Sequence, residues 1–160
     1  EEVLLASRLE HNPDDTKMVD AVDLLGMAAE ECARVDASLS AQQEVAVRGN
    51  AVLLRRMLRN LLENARRHGG MNGDAHIEVS VRLLPSARPC IEVADRGPGI
   101  PEAWRERVFH PFVRVPGAHE KHGSVGLGLA LVRLIAERHG AHVSVHAREG
   151  GGSVFVVKWL

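Results

Sequence analysis

The chain has 160 residues, 45% of them hydrophobic and 26% charged, the balance of one ordinary globular domain with a real core. Its formal net charge of −1 supplies no basic field for nucleic acid or an anionic membrane, and aromatics at 3%, with no Tyr, leave no stacking platform for single strands. Cys32 and Cys90 fit no metal-ligand spacing and read as small buried hydrophobes in a reducing compartment; no signal peptide is visible in these residues, and no apolar run approaches the ~20 residues of a membrane helix.

Residues 1–10 (EEVLLASRLE) set Val3, Leu4, Leu5 and Leu9 on an otherwise polar helical pattern, which the Asn12-Pro13 step breaks. The start at Glu1 without Met reads as a piece of a longer protein. Met18–Val22 is expected as a short edge strand, Leu24–Ala37 as a helix and Gln43–Arg48 as a further strand. Asn50 is placed as the N-cap of the strongest helix, 51–68. Leu54, Leu58, Leu61, Leu62 and Ala65 fall at helical spacing there, and Gly69-Gly70 end it.

His76–Leu84 alternates as a half-buried strand, Pro85–Pro89 turn, and Cys90–Ala94 return. A Gly- and Pro-rich loop (95–101), a short helix (Glu102–Val108) and a polar stretch expected to be mobile (113–125) follow. A helix from Leu127 to Arg138 stops at Gly140. The last two strands, around Val143–Val145 and from Val154 to Trp159, flank Gly150-Gly151-Gly152. Mixed helices and hairpin-like strands imply a two-layer α/β sandwich, with helices on one face of a mixed sheet.

Three stretches stand out chemically. On the 51–68 helix, Asn60, Asn64 and Arg67 share a narrow stripe at the rim of the apolar face. Two carboxamides there offer neutral oxygens to a hard cation, and Arg66 and Arg67 offer charge to phosphates; alternatively both Asn merely solvate the helix. Asp95-Arg96-Gly97-Pro98-Gly99-Ile100 puts a carboxylate acceptor at a strand end, beside glycines that admit a planar ligand and an Ile that could pack on its ring. Taken alone it reads as an ordinary surface turn. Gly126-Leu127-Gly128 at a helix N-terminus exposes amides to an anion, or simply permits close helix packing. It fits neither the Walker pattern nor the dinucleotide fingerprint. Together the three compose one nucleotide site: metal and phosphate ligands, a base acceptor and a phosphate cradle.

In these residues the chain resembles the catalytic ATP-binding domain of sensor histidine kinases, within the Bergerat-fold group that also holds DNA gyrase, the mismatch-repair ATPase and an ATP-dependent heat-shock chaperone. Asn60-Leu-Leu-Glu-Asn64-Ala resembles the family's N box and Asp95-Arg-Gly97-Pro-Gly99-Ile its first glycine box. Phe109-His-Pro-Phe112-Val-Arg114 is similar to its F box and Gly126-Leu-Gly128-Leu-Ala to its second glycine box, with the polar stretch between them as the ATP lid. The resemblance covers about residues 18–160.

It implies a Bergerat sandwich: a mixed sheet covered on one face by about three helices, with a mobile ATP lid. Residues 1–15 would be the end of a preceding dimerisation helix and its linker, and 16–160 the catalytic domain. It further implies that Asn64 binds Mg²⁺, that Asn60 lies near the phosphates of ATP, and that Arg67 stands where the family often has Lys. His68 replaces an aromatic residue. Asp95 would receive the adenine amine, Gly97, Gly99 and Ile100 would line the base pocket, and Gly126, Leu127 and Gly128 would meet the phosphates.

The implied reaction is transfer of the ATP γ-phosphoryl group to a histidine on a dimerisation domain outside this chain, since none of its nine His residues has the family's phosphoacceptor context. Implied partners are that domain and a response regulator, in a homodimeric, inner-membrane-anchored bacterial protein whose catalytic part is cytoplasmic. Hydrolases of the group carry a Glu general base at the position of Asn60, and an amide cannot take a proton from water. The residues also admit a stand-alone serine kinase of the anti-sigma type, or a non-catalytic nucleotide-binding module.

Overall fold

The computed structural model describes residues 1–11, 20–69, 76–117 and 126–160. In chain order these form α1 (Glu2–His11), β1 (Asp20–Asp23), α2 (Leu24–Val35), β2 (Ser38–Ala41), β3 (Ala46–Gly49), α3 (Ala51–His68), β4 (Glu78–Leu83) and β5 (Pro89–Ala94). Two 3₁₀ turns (Glu102–Trp104, Arg107–Phe109) precede α4 (Gly128–Arg138), β6 (Ala141–Ala147) and β7 (Ser153–Trp159). A five-stranded mixed sheet runs β2-β4-β5-β7-β6, and β1 and β3 pair apart from it. Only the β2–β4 pair is parallel within the large sheet.

The expected sandwich is what forms. Alternation along the strands turns Val79, Val81, Ile91, Val93, Val143, Val145, Phe155 and Val157 inward, where α2, α3 and α4 cover them. Helix α3 runs through the middle of this layer. Its Leu54, Met57, Leu58 and Leu61 are all at 0% exposure, each contributing roughly 1.5–3 kcal/mol of burial. Phe109 meets Phe155 edge-on at 6.1 Å between ring centroids. Helix α1 lies against α4, with Leu9 buried and Val3 and Leu4 exposed. Among the described residues, no helix is long and apolar enough to cross a membrane.

Several sequence expectations shift. The helix expected to reach Ala37 ends at Val35, because Asp36 takes a left-handed conformation (φ 55°) and its N–H bonds the Cys32 carbonyl. The strand β2 that follows was not expected. The strand expected at Gln43–Arg48 is Ala46–Gly49, and α4 starts at Gly128, with Leu127 at its N-cap. Cys32 sits in the core as expected, its thiol pushed up to about 11 by burial and then by the Glu31 charge. Cys90 is buried too, but on the outer face of the sheet, in register with Arg82 and Lys158. Residues 12–19, which hold the expected linker, and 118–125, most of the expected lid, lie outside the described residues, as does Gly70.

Candidate nucleotide site

The site is built where α3, the β5–α4 connection and the start of α4 converge. Asn50 opens α3 as expected, its Oδ1 accepting from the Leu53 N–H at 3.1 Å. Two and a half turns on, Asn60 is 7% exposed, and its Nδ2 donates to the Gly128 carbonyl at 3.2 Å. That bond joins the middle of α3 to the first turn of α4. Asn64, one turn further along the same stripe, is half-buried. Arg67 and His68 lie on the exposed last turn, and no described contact ties Arg67 to the glycine turns.

The end of α3 rests on the Asp95 loop. A Cβ at Gly69 would stand 3.2 Å from the Asp95 Cβ, and one at Gly97 would overlap the His68 carbonyl. Asp95 is 3% exposed. Burial raises its pKa, partly offset by the N–H groups of Gly97 (2.8 Å) and Ser153 (3.4 Å), both bonding Oδ1. Desolvation lowers the pKa of His68, against the pull of the Asp95 charge. Gly99 (φ 76°) backs onto the Gly152 carbonyl, and Ile100 is half-buried against the core.

At the other wall, the Phe112 N–H bonds the Gly126 carbonyl at 2.9 Å, so the two ends of the 113–125 segment are stapled together. Gly126 has φ 76°, and a Cβ there would stand 3.1 Å from the Phe112 Cα, which leaves room only for glycine. Helix α4 then starts with no side-chain cap, unlike α2, where Asp23 Oδ1 accepts from Leu25 and Gly26. Among the described residues no side chain caps the first amides of α4, which lie at the positive end of the helix dipole.

The structure thus sets Asn60 against Gly128 at the start of α4, and Asp95 and Gly97 against the His68–Gly69 end of the same helix, with Asn64 half-buried on the turn after Asn60. Glu63 is exposed, on the α2 side of α3 with Arg34, Arg59 and Arg66. Sequence reasoning missed Ser153 and Gly152. Gly152 (φ 108°) packs so tightly under Asp95 that a Cβ would fall on the Asp95 carbonyl oxygen. The only local signal was the Gly150-Gly151-Gly152 run, which has the look of a plain turn.

The donor set suits a nucleotide and a hard cation. The oxygens at the α3 stripe are neutral carboxamides of the kind a hard cation accepts. A buried acceptor at one end and uncapped amides at the other match a base and a phosphate chain.

A family model described as histidine kinase-, DNA gyrase B-, and HSP90-like ATPase matches residues 49–160. The sensor protein CutS of Streptomyces coelicolor is 34% identical over 98% of the chain, and the sensor-type histidine kinase PrrB of Mycobacterium tuberculosis 36% over 91%. The chain spans 39% of the first and 32% of the second. The solved ATP-binding domain of PrrB superposes with a TM-score of 0.67 at 28% identity, over 91% of this chain and 97% of that one. The mycobacterial sensor histidine kinase MprB superposes with a TM-score of 0.74 at 25% identity, over 88% and 95%.

Proposed function

Because the chain belongs to the histidine kinase-, DNA gyrase B- and HSP90-like ATPase family, ATP is its nucleotide, and we propose that it is the part of a two-component sensor kinase that delivers the γ-phosphoryl group to a histidine on a dimerisation domain. The observation that carries this is Asn60. One turn before the proposed metal residue, it presents an amide whose Nδ2 is committed to the Gly128 carbonyl. A carboxylate base there would set its charge against that carbonyl, so the cleft positions a phosphoryl group without activating water.

In this scheme Asp95 accepts the exocyclic amine of adenine, and Gly97, Gly99 and Ile100 flank the base. The uncapped amides of Leu127 and Gly128 take phosphate oxygens, and Arg67 and His68 lie beside the chain of phosphates. The Asn64 carboxamide oxygen, with Asn60 beside it, would hold Mg²⁺, which when bound supplies charge neutralisation for the transferred group. Helix α1 is the end of the dimerisation helix, and residues 16–160 are the catalytic unit. The whole protein is a homodimer anchored in the inner membrane, with this part cytoplasmic, and passes the phosphoryl group to a response regulator.

The test is to mix the chain with a dimerisation domain of this class and radiolabelled ATP. Label should appear on the added domain and depend on Mg²⁺. Asn64→Ala should abolish both transfer and Mg²⁺-dependent ATP binding. Strong labelling of the chain by itself would refute the reading.

A further inference from the structure

The Asp95 loop is braced from behind by two arginines that reach across in opposite directions. Arg148, at the end of β6, donates Nη1 to the Asp95 carbonyl at 3.3 Å, while its Nη2 pairs with Glu78 on β4. Its side chain is only 10% exposed. Arg96, inside the loop, donates Nη1 to the carbonyls of Glu149 (2.7 Å) and Gly151 (3.1 Å). The turn they share is itself closed, by Arg148 N–H to the Gly152 carbonyl and Gly151 N–H to the Arg148 carbonyl, both at 3.0 Å. Asp95 N–H adds a bond to the Ser153 carbonyl at 2.9 Å. The base acceptor therefore sits on a backbone held from both sides. A guanidinium suits this task because its several N–H groups can hold two acceptors at fixed angles, which an ammonium does not.

We propose that Arg96 and Arg148 are positioning residues for recognition of the base, fixing where the Asp95 carboxylate stands without touching the nucleotide; this rests on Asp95 being the base acceptor. Binding at the phosphate end does not depend on them, since Asn60, Asn64 and the start of α4 lie on other elements. The two ends of the ligand can therefore be separated by experiment.

Affinity of the chain for Mg²⁺·AMPPNP and, by competition, for Mg²⁺·tripolyphosphate is measured in Arg148→Met and Arg96→Met. Each should weaken AMPPNP about tenfold, the size of one base-edge hydrogen bond, and move tripolyphosphate by less than about twofold. Arg82→Met, which removes a surface pair with Glu92 on the same sheet, should move neither. Should a Met variant fail to fold, Arg148→Lys keeps a charge beside Glu78 and is judged by the same ratio. In an Asp95→Asn background the Arg148→Met effect should vanish. A parallel loss of both ligands, or unchanged AMPPNP binding in a folded variant, overturns the proposal. If Asp95→Asn by itself leaves AMPPNP binding intact, it is the base-acceptor assignment that fails, and the brace with it.

Discussion

Withdrawing a carboxylate from water disfavours its ionised form, and Asp95 sits at 3% exposure with its pKa raised by burial. A raised value means that the folded state holds the proton more tightly than the unfolded chain does. The associated stability is full below the ordinary value of 3.8 and is lost as pH rises through the raised one. At neutral pH the charge therefore costs stability, a cost that the proposed role of Asp95 as base acceptor would account for. Asp95→Asn keeps an Oδ1 for the Gly97 and Ser153 N–H groups but, in the proposed scheme, turns an N–H toward the base. At pH 7 its thermal midpoint should hold or rise by about 1–3 °C, while AMPPNP affinity falls by about tenfold or more. Calorimetry and titration would show this, and a lowered midpoint would contradict it. Asp95 was legible in sequence because a carboxylate at a strand end before two glycines is a local pattern. Ser153 and Arg148 were not, because they lie 58 and 53 positions away and meet Asp95 only through sheet pairing.

Between elements, α3 and α4 are pinned at two places. Asn60 to Gly128 is one. His139 is the other: buried at 6% exposure, it accepts the Asn50 N–H on Nε2 at 3.1 Å and lies 2.7 Å from the Ile135 carbonyl through Nδ1, which fixes the neutral Nδ1–H tautomer. Burial lowers its pKa, against the pull of the Ile135 carbonyl. Here the neutral form is favoured, so the stability is full above the ordinary value of 6.5 and is lost as pH falls through the lowered one. Protonation would set an N–H against the Asn50 N–H. Denaturant titrations should show stability falling on acidification below pH 6.5. His139→Leu should lose about 1–3 kcal/mol at pH 7 and flatten that pH dependence; an unaltered pH profile would exclude the role. Sequence displayed α3 well, since its apolar stripe is long and its Asn50 cap is local. It hid β2, a four-residue edge strand with Leu39 as its one large apolar side chain, and it hid His139, which looks like ordinary charge at a helix end.

Across the whole molecule, all three sheet-covering helices lie on one side, and the other face carries Ser80, Arg82, Glu92, Ser144 and Lys158, with Arg82 paired to Glu92 at 2.7 Å. Alternation along β4 to β7 makes the two layers readable from residue order alone. The strand order does not follow from it, because the parallel β2–β4 pair joins segments separated by the whole of α3, and no local pattern records that. The 2.9 Å bond between Phe112 N–H and the Gly126 carbonyl has a further consequence at this scale. It joins Phe112 to Gly126 directly, on either side of the chain that connects them. Loop closure costs only about 0.6 kcal/mol per doubling of length, so replacing 118–125 by Gly/Ser runs half or twice as long should shift the thermal midpoint by no more than about 2 °C. A large fall would show that the segment carries part of the fold. A midpoint that holds would show that the pairing of Phe112 with Gly126 stands whatever the length of the chain between them.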